Sequence, residues 1–89
     1  MVTDDNPRTE DPAAIRAAML IGARAGVAEV VEIANRAEAI AHVVTRASPG
    51  DAVVVAGKGH ETGQQVCGIT HQFSDAEVLA RALADRSAR

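Results

Sequence analysis

Two loops in the chain carry side chains that could bind a charged small molecule. In the first, Asp5, Asn6 and Arg8 flank a proline and offer a carboxylate, an amide and a guanidinium, and a guanidinium can grip a carboxylate through two parallel hydrogen bonds. In the second, Gly57 allows close approach to the backbone and Glu61 adds another carboxylate. Together, the two loops offer charges of both signs, which suits a zwitterionic ligand. An amino acid with more than one charged end would place its carboxylate on Arg8 and an ammonium against Asp5 or Glu61.

Other interpretations of the same residues remain open at this point. Asp-Asn-Pro-Arg is typical of a surface turn, and its spacing alone favours that interpretation, with Arg8 as a solvated charge. The Gly57–Gly63 loop contains Lys58, the only lysine, but lacks the spacing of phosphate-binding loops. We therefore expect Lys58 and His60 to orient the loop through contacts to backbone carbonyls rather than to act in catalysis.

The remaining histidines and the cysteine indicate no metal centre and no nucleophile. His42, His71 and Cys67 are too dispersed for the ligand spacing of a zinc site. Cys67 falls in a predicted strand, where a cysteine is more often a small buried apolar residue than a reactive thiol. We predict no metal-binding and no catalytic residue in this chain.

Three apolar segments are predicted to be strands. They are residues 1–3, the β-branched stretch 27–33 and the uniformly apolar stretch 52–56, which we expect to be central in a sheet. Residues 65–69 and 70–73 predict a short terminal hairpin. Each of the two polar loops follows directly on one of these strands.

Helices are predicted between the strands. Asp11 with Pro12 predicts the start of the first helix, and Gly26 predicts its end in a left-handed cap. Capping boxes at Asn35 and Ser74 predict the second and third starts. Apolar positions at helical spacing predict the buried faces of the three helices: Ile15, Ala18, Met19 and Gly22 in the first, Ile40, Val43, Val44 and Ala47 in the second, and Val78, Leu79, Ala82 and Leu83 in the third.

Alternating strands and helices predict an α/β fold of three layers with a largely parallel sheet. Ligands of such sheets bind outside the carboxyl ends of the strands. Both polar loops leave strands at that edge. We therefore expect the two loops to converge.

Composition excludes several classes of function. The 89 residues carry a net charge of −3 and one aromatic residue, so they suffice for one small domain and offer no basic surface for nucleic acid. No apolar run approaches the roughly 20 residues of a membrane-spanning helix. The acidic start is the reverse of a signal peptide, and a lone cysteine builds no disulfide framework. We expect a cytoplasmic protein without membrane contact.

The two loops, taken in order, closely resemble the C-terminal domain of the Mur ligases. The resemblance rests on Asp5-Asn6-Pro7-Arg8 and on residues 53–61, Val-Val-Val-Ala-Gly-Lys-Gly-His-Glu, and extends over nearly the whole chain. It displaces the surface-turn interpretation of the first loop. The family implies a Rossmann-like domain that carries much of the site for the incoming amino acid, in cytoplasmic three-domain enzymes of peptidoglycan synthesis.

The resemblance also implies roles for individual residues. In family members that add meso-diaminopimelate, the Asp-Asn-Pro-Arg motif binds that amino acid, with the arginine on its far carboxylate. Carried over by position, Asp5, Asn6 and Arg8 are specificity residues, and Gly57 and Glu61 complete the pocket. Lysine has no second carboxylate for Arg8 to hold, so Asn6 and Arg8 together favour meso-diaminopimelate.

The family's remaining machinery has no counterpart in this sequence. In Mur ligases, ATP and Mg²⁺ are bound by the central domain and the UDP-sugar by the N-terminal domain. We therefore expect 1–89 to be a partial C-terminal domain that binds no cofactor by itself and is inactive without the rest of the ligase. The alternative is a non-catalytic α/β binding or interaction module. A dinucleotide-binding domain is disfavoured because the glycine fingerprint is absent.

Overall fold

A computed structural model describes residues 1–58, 61–66 and 69–87 of the chain. The elements in these ranges are, in order, α1 (Pro12–Arg24), α2 (Arg36–Arg46), β1 (Gly63–Val66), β2 (Ile69–Gln72) and α3 (Asp75–Ser87). The chain is therefore mixed α/β, as predicted. The expectations for His60 and Cys67 lie outside the described residues.

The predicted helix starts are confirmed by their caps. The carboxylate of Asp11 accepts a hydrogen bond at 3.0 Å from a backbone N–H in the first turn of α1. Asn35 accepts from the N–H of Glu38 at 3.0 Å, and the hydroxyl of Ser74 accepts from that of Glu77 at 3.4 Å. Each bond satisfies a donor that has no partner within its helix.

The predicted end of α1 is right in position, but the left-handed conformation predicted for Gly26 is wrong. The helix stops at Arg24, and Ala25 follows in a right-handed conformation (φ −74°, ψ −16°). The N–H groups of Ala25 and Gly26 donate to the carbonyls of Gly22 and Ala23, both at 3.2 Å. Because these tighter bonds already satisfy the last carbonyls, Gly26 is not needed as a left-handed cap.

The hydrophobic core lies around α2, which packs against α3. Its buried apolar members are Val2, Leu20, Ala39, Ile40 and Val44. The predicted buried face of α2 is therefore confirmed at its centre.

The buried face predicted for α1 is wrong. Leu20 is buried, whereas Met19 is 54% exposed and Ala18 and Gly22 are exposed as well. Ile15 and Met19 line an open cavity instead of packing against another element. Apolar residues at helical spacing identify the apolar face of a helix. They do not show whether that face packs in the core or lines a cavity.

The sheet differs from the prediction. The strand ladder in the described ranges is the antiparallel pair β1–β2, from Gly63 opposite Gln72 to Val66 opposite Ile69, so the terminal hairpin is confirmed. Among the residues that the structure describes, parallel pairing is limited to one bridge between Val2 and Glu32. Around that bridge, the Val2 N–H donates to the Val31 carbonyl at 2.7 Å, and its carbonyl accepts from Ile33 at 3.0 Å.

The segment 52–56 does not form the predicted central strand in this structure. In the described part of the chain it joins no ladder, and Val54 is 85% exposed. A strand exists only where a neighbour pairs with its backbone, so apolar and β-branched residues alone do not create one. The largely parallel three-layer sheet is thus not confirmed. No helix among the described residues has the length and apolar character needed to cross a membrane.

Candidate functional site

One cavity collects all five residues that the sequence singled out. Asp5, Asn6, Arg8, Gly57 and Glu61 line a cavity of about 420 Å³. That volume lies within the roughly 300–1,000 Å³ of small-molecule sites. The two loops therefore converge as expected, although the strand of 52–56 that was to position the second loop is not formed.

Strand β1 holds the first loop in place. The N–H of Gln65 donates to Oδ1 of Asn6 at 2.7 Å, and the N–H of Arg8 donates to the Gln65 carbonyl at 2.8 Å. The side chain of Gln64 donates to the Asp5 carbonyl at 2.8 Å. Because three residues of the loop, Asp5, Asn6 and Arg8, are bonded to β1, the loop is an ordered extension of the hairpin rather than a free turn.

Asn6 connects the two loops directly. Its amide nitrogen donates to Oε2 of Glu61 at 2.9 Å, while its amide oxygen accepts from Gln65. These partners fix the amide orientation, because only the nitrogen can donate to a carboxylate. Glu61 is exposed, and Oε2 is the oxygen that described residues engage.

Arg8 combines a strained backbone with an exposed cation. Its φ of +55° lies in the left-handed region, which costs a residue with a Cβ roughly 1–2 kcal/mol. In the described ranges its backbone N–H is bonded, whereas no hydrogen bond or ion pair engages its guanidinium. Strain of this kind persists where tertiary contacts hold a residue in place and is common at binding sites.

Lys58 ties the second loop to the first from a buried position. The residue is 2% exposed, and its ammonium donates to the Gly63 carbonyl and, at 3.3 Å, to Oδ1 of Asp5. The expectation that Lys58 orients its loop through a backbone carbonyl is confirmed. Next to it, Gly57 has a φ of +113°, and a Cβ added there would lie 3.0 Å from Oδ2 of Asp5. Glycine thus permits the close approach of the two loops.

Arg36 is a site element that the sequence analysis missed. Its Nε and one terminal nitrogen each donate to Asp75 at 2.7 Å, and both residues are buried. The terminal nitrogens also donate to the carbonyls of Asp4 and Ala56, both at 3.1 Å. Hydrogen bonding to Asp75 raises the pKa of Arg36 above its ordinary value, against the opposing effect of burial. The side chain therefore stays charged across the physiological range.

The sequence did contain a signal for Arg36. It is the first residue of α2, where a cation opposes the helix dipole. The unfavourable interaction is only about 0.3–1 kcal/mol, so an arginine in that position is a weak signal for a compensating carboxylate. Asp75 fills that role from the first turn of α3, and nothing in the sequence links the two residues.

Arg16 fixes the residue that precedes the first motif. Its guanidinium bonds Oδ1 of Asp4 at 2.5 Å and Oε2 of Glu32 at 3.0 Å. The hydrogen bond to Asp4, and to a smaller extent the one to Glu32, raises the pKa of Arg16 above its ordinary value. The Asp4 carboxylate is thus held by α1.

Residues 1–59 match the family model described as the Mur ligase, glutamate ligase domain. The chain belongs to the Mur ligase family. It is 56% identical over 89 residues to the UDP-N-acetylmuramoyl-L-alanyl-D-glutamate–2,6-diaminopimelate ligase of Corynebacterium efficiens. It is 53% identical over 89 residues to the ligase of the same name from Streptomyces avermitilis. Each alignment covers 93% of this chain and 17% of the relative.

A solved structure of a ligase with that name has the same fold over this region. It matches with a TM-score of 0.79 and 42% sequence identity, and the match covers 96% of this chain and 18% of that one. The chain therefore spans less than a fifth of the length of the proteins it resembles.

Mur ligases are ATP-dependent, but the described residues do not fit ATP with Mg²⁺. In ranges 1–58, 61–66 and 69–87, no group of three or more His, Cys, Asp and Glu side chains could hold a metal ion. The two buried cations, Arg36 and Lys58, are already bonded to protein oxygens.

Proposed function

We propose that this chain supplies the amino-acid specificity site of the ATP-dependent ligase that adds meso-diaminopimelate to UDP-N-acetylmuramoyl-L-alanyl-D-glutamate in peptidoglycan biosynthesis. The observation that carries the proposal is the convergence of Asn6, Arg8 and Glu61 on one cavity. The names of the relatives support diaminopimelate as the amino acid. The ligand must then present both a carboxylate and an ammonium.

The charges in the cavity match that ligand. Meso-diaminopimelate has a carboxylate and an ammonium at each end, whereas lysine has a carboxylate at one end alone. We assign the far carboxylate to the guanidinium of Arg8, which can bind it through two parallel hydrogen bonds. We assign an ammonium to Glu61, held by Asn6, with Asp5 beside it. The resulting preference for diaminopimelate comes mainly from Arg8.

The chemistry of ligation then belongs to the rest of the enzyme. In this family an acyl phosphate forms on the UDP-sugar peptide at the expense of ATP, and the amine of the amino acid attacks it. The residues of this chain bind and orient the amino acid, so no catalytic residue is assigned among them. The proposed partners are meso-diaminopimelate and the remaining domains of the ligase, in the cytoplasm, with neither nucleic acid nor membrane.

We infer that 52–56 is a strand of a Rossmann-like, mostly parallel sheet in the complete domain. Two adjoining grooves support this inference, because Met1 and Val53 line both of them. The grooves separate two extended segments, one of which is already in a parallel bridge through Val2. A strand from the remainder of the ligase placed there would pair with both segments and cover Val54.

The exposure of Val54 also favours a second candidate function. An unpaired apolar segment can add a strand from another protein. In that case the chain would be a non-catalytic α/β interaction module, and its cavity would have no preference among amino acids. Selectivity for diaminopimelate therefore discriminates the two candidates.

A segment exchange tests the proposed function. This chain replaces the matching region of the Corynebacterium efficiens ligase, and amide-bond formation is followed with meso-diaminopimelate and with L-lysine. We expect ATP-dependent ligation that prefers diaminopimelate. The matched control is the same exchange with Arg8→Ala, which should lose the preference while the protein stays folded. A folded, active enzyme with no preference for diaminopimelate would contradict the proposal.

A further inference from the structure

The two loops of the cavity begin at carbonyls that share one donor. The carbonyl of Asp4 precedes the first motif and that of Ala56 precedes Gly57, and both accept from Arg36 at 3.1 Å. We propose that Arg36 is a positioning residue: anchored by Asp75, it sets the spacing of the two loops and thereby the affinity for the diamino acid. This inference rests on the proposed function, because it assigns a role in the same site.

The Arg36–Asp75 pair is built as an anchor. Asp75 receives two hydrogen bonds of 2.7 Å from Arg36, whose side chain is 3% exposed. The other bonds of the guanidinium point to the two loop carbonyls. A planar guanidinium with five donors in a rigid fork can serve all these acceptors, whereas the single ammonium of a lysine cannot reach them together.

Arg36 acts beside two direct links between side chains of the two loops. Among described contacts, Lys58 reaches Asp5 at 3.3 Å, but the Asp5 side chain is 43% exposed. Asn6 reaches Glu61 at 2.9 Å at the exposed rim of the cavity. The exposed Asn6–Glu61 contact contributes little by itself, and the Lys58–Asp5 contact is partly buried but long. The hydrogen bonds of Arg36 to the two loop carbonyls are partly buried, and its anchor on Asp75 is buried, so Arg36 holds the spacing within which the pairing of Asn6 with Glu61 can form.

The test compares two variants of the full 89-residue chain. Arg36→Lys keeps the positive charge but loses the planar set of hydrogen-bond donors that reaches Asp75 and the two loop carbonyls. Val44→Ala removes buried methyl groups from the same helix, away from the cavity, and serves as the stability control. Affinity for meso-diaminopimelate is measured by calorimetry at a temperature at which circular dichroism shows every variant folded. We expect Arg36→Lys to weaken binding about tenfold, as for the loss of a charged hydrogen bond, and Val44→Ala to leave it unchanged.

A measurement without ligand keeps this inference separate from the proposed function. The side-chain amide of Asn6 gives its own NMR signals, which report its hydrogen bond to Glu61. We expect Arg36→Lys to move these signals toward those of a free asparagine, and Asp75→Asn to move them in the same direction by less. Asp75→Asn retains one oxygen that can accept a hydrogen bond from Arg36. It therefore provides the same NMR test if Arg36→Lys does not fold.

The outcomes are distinct. Asn6 signals that shift in the Arg36 and Asp75 variants but not in Val44→Ala support the positioning role, even if the wild-type chain fails to bind diaminopimelate. That failure would count against the proposed function alone. Unchanged Asn6 signals in both variants, or equal losses of affinity in Arg36→Lys and Val44→Ala, would overturn the inference.

Discussion

Replacing Arg8 separates what this residue does for binding from what it does to the fold. Arg8→Ala and Arg8→Gly both remove the guanidinium, so both should lose the preference for meso-diaminopimelate over lysine. They differ in the backbone, because Arg8 has a φ of +55°. Alanine keeps the Cβ that makes this conformation unfavourable, whereas glycine does not.

The magnitudes follow from exposure and conformation. A hydrogen bond to a charged group contributes about 1.5–3 kcal/mol, and the exposure of Arg8 argues for the lower end. The preference for diaminopimelate should therefore be about tenfold and should fall to about one. A Cβ in the left-handed region costs roughly 1–2 kcal/mol, and glycine loses roughly 0.5–1 kcal/mol more on folding than alanine. Arg8→Gly should thus be more stable than Arg8→Ala by up to about 1.5 kcal/mol, with a central value of about 0.75 kcal/mol.

Two measurements check these values. Calorimetry gives the affinities of the wild-type chain and both variants for meso-diaminopimelate and L-lysine. Urea unfolding followed by circular dichroism gives the free energies of unfolding. A tenfold preference that survives in either variant would refute the role of Arg8 in specificity. A higher stability of Arg8→Ala than of Arg8→Gly would refute the strain assigned to its backbone.

Two further substitutions test the geometry of the cavity, each with a matched control. Gly57→Ala strains a backbone with φ +113° and presses on a carboxylate 3.0 Å away, so it should weaken diaminopimelate binding as well as stability. Gly50→Ala strains a similar backbone with φ +93° in open space, and calorimetry should show unchanged binding. Asn6→Asp places a second carboxylate against Glu61 and should weaken binding several-fold through lost hydrogen bonding and repulsion. Asn35→Asp adds the same charge at a helix N-cap, where asparagine and aspartate are about equally favourable, and should change neither binding nor stability measurably. In either pair, equal effects of the variant and its control would contradict the proposed contact.

The parts of the structure that depend on local chemistry could be predicted from the sequence. Asp11, Asn35 and Ser74 begin the three helices because each cap bonds a backbone group at most three residues away. The hairpin near the end of the chain is local as well. The two loops of the cavity were found from the residue types they combine, and from their likeness to a family, before any distance was known.

Individual hydrogen bonds between distant residues could not be predicted, although the convergence of the two loops was. Arg36 and Asp75 are 39 positions apart, and the bond between Asn6 and Glu61 spans 55 positions. No periodicity relates such pairs. The sheet was mispredicted for a related reason: residues 52–56 have the composition of a central strand, but pairing requires a neighbour that composition does not supply.

The central claim is that this chain holds an amino-acid site selective for diaminopimelate. The most direct measurement is a two-dimensional amide NMR spectrum of the chain, titrated with meso-diaminopimelate and, separately, with L-lysine. The account predicts that diaminopimelate at low concentration shifts the signals of Asn6, Arg8, Gly57 and Glu61, and that lysine needs about ten times more. Dispersed signals of a folded chain that respond to neither amino acid, or equally to both, would contradict it.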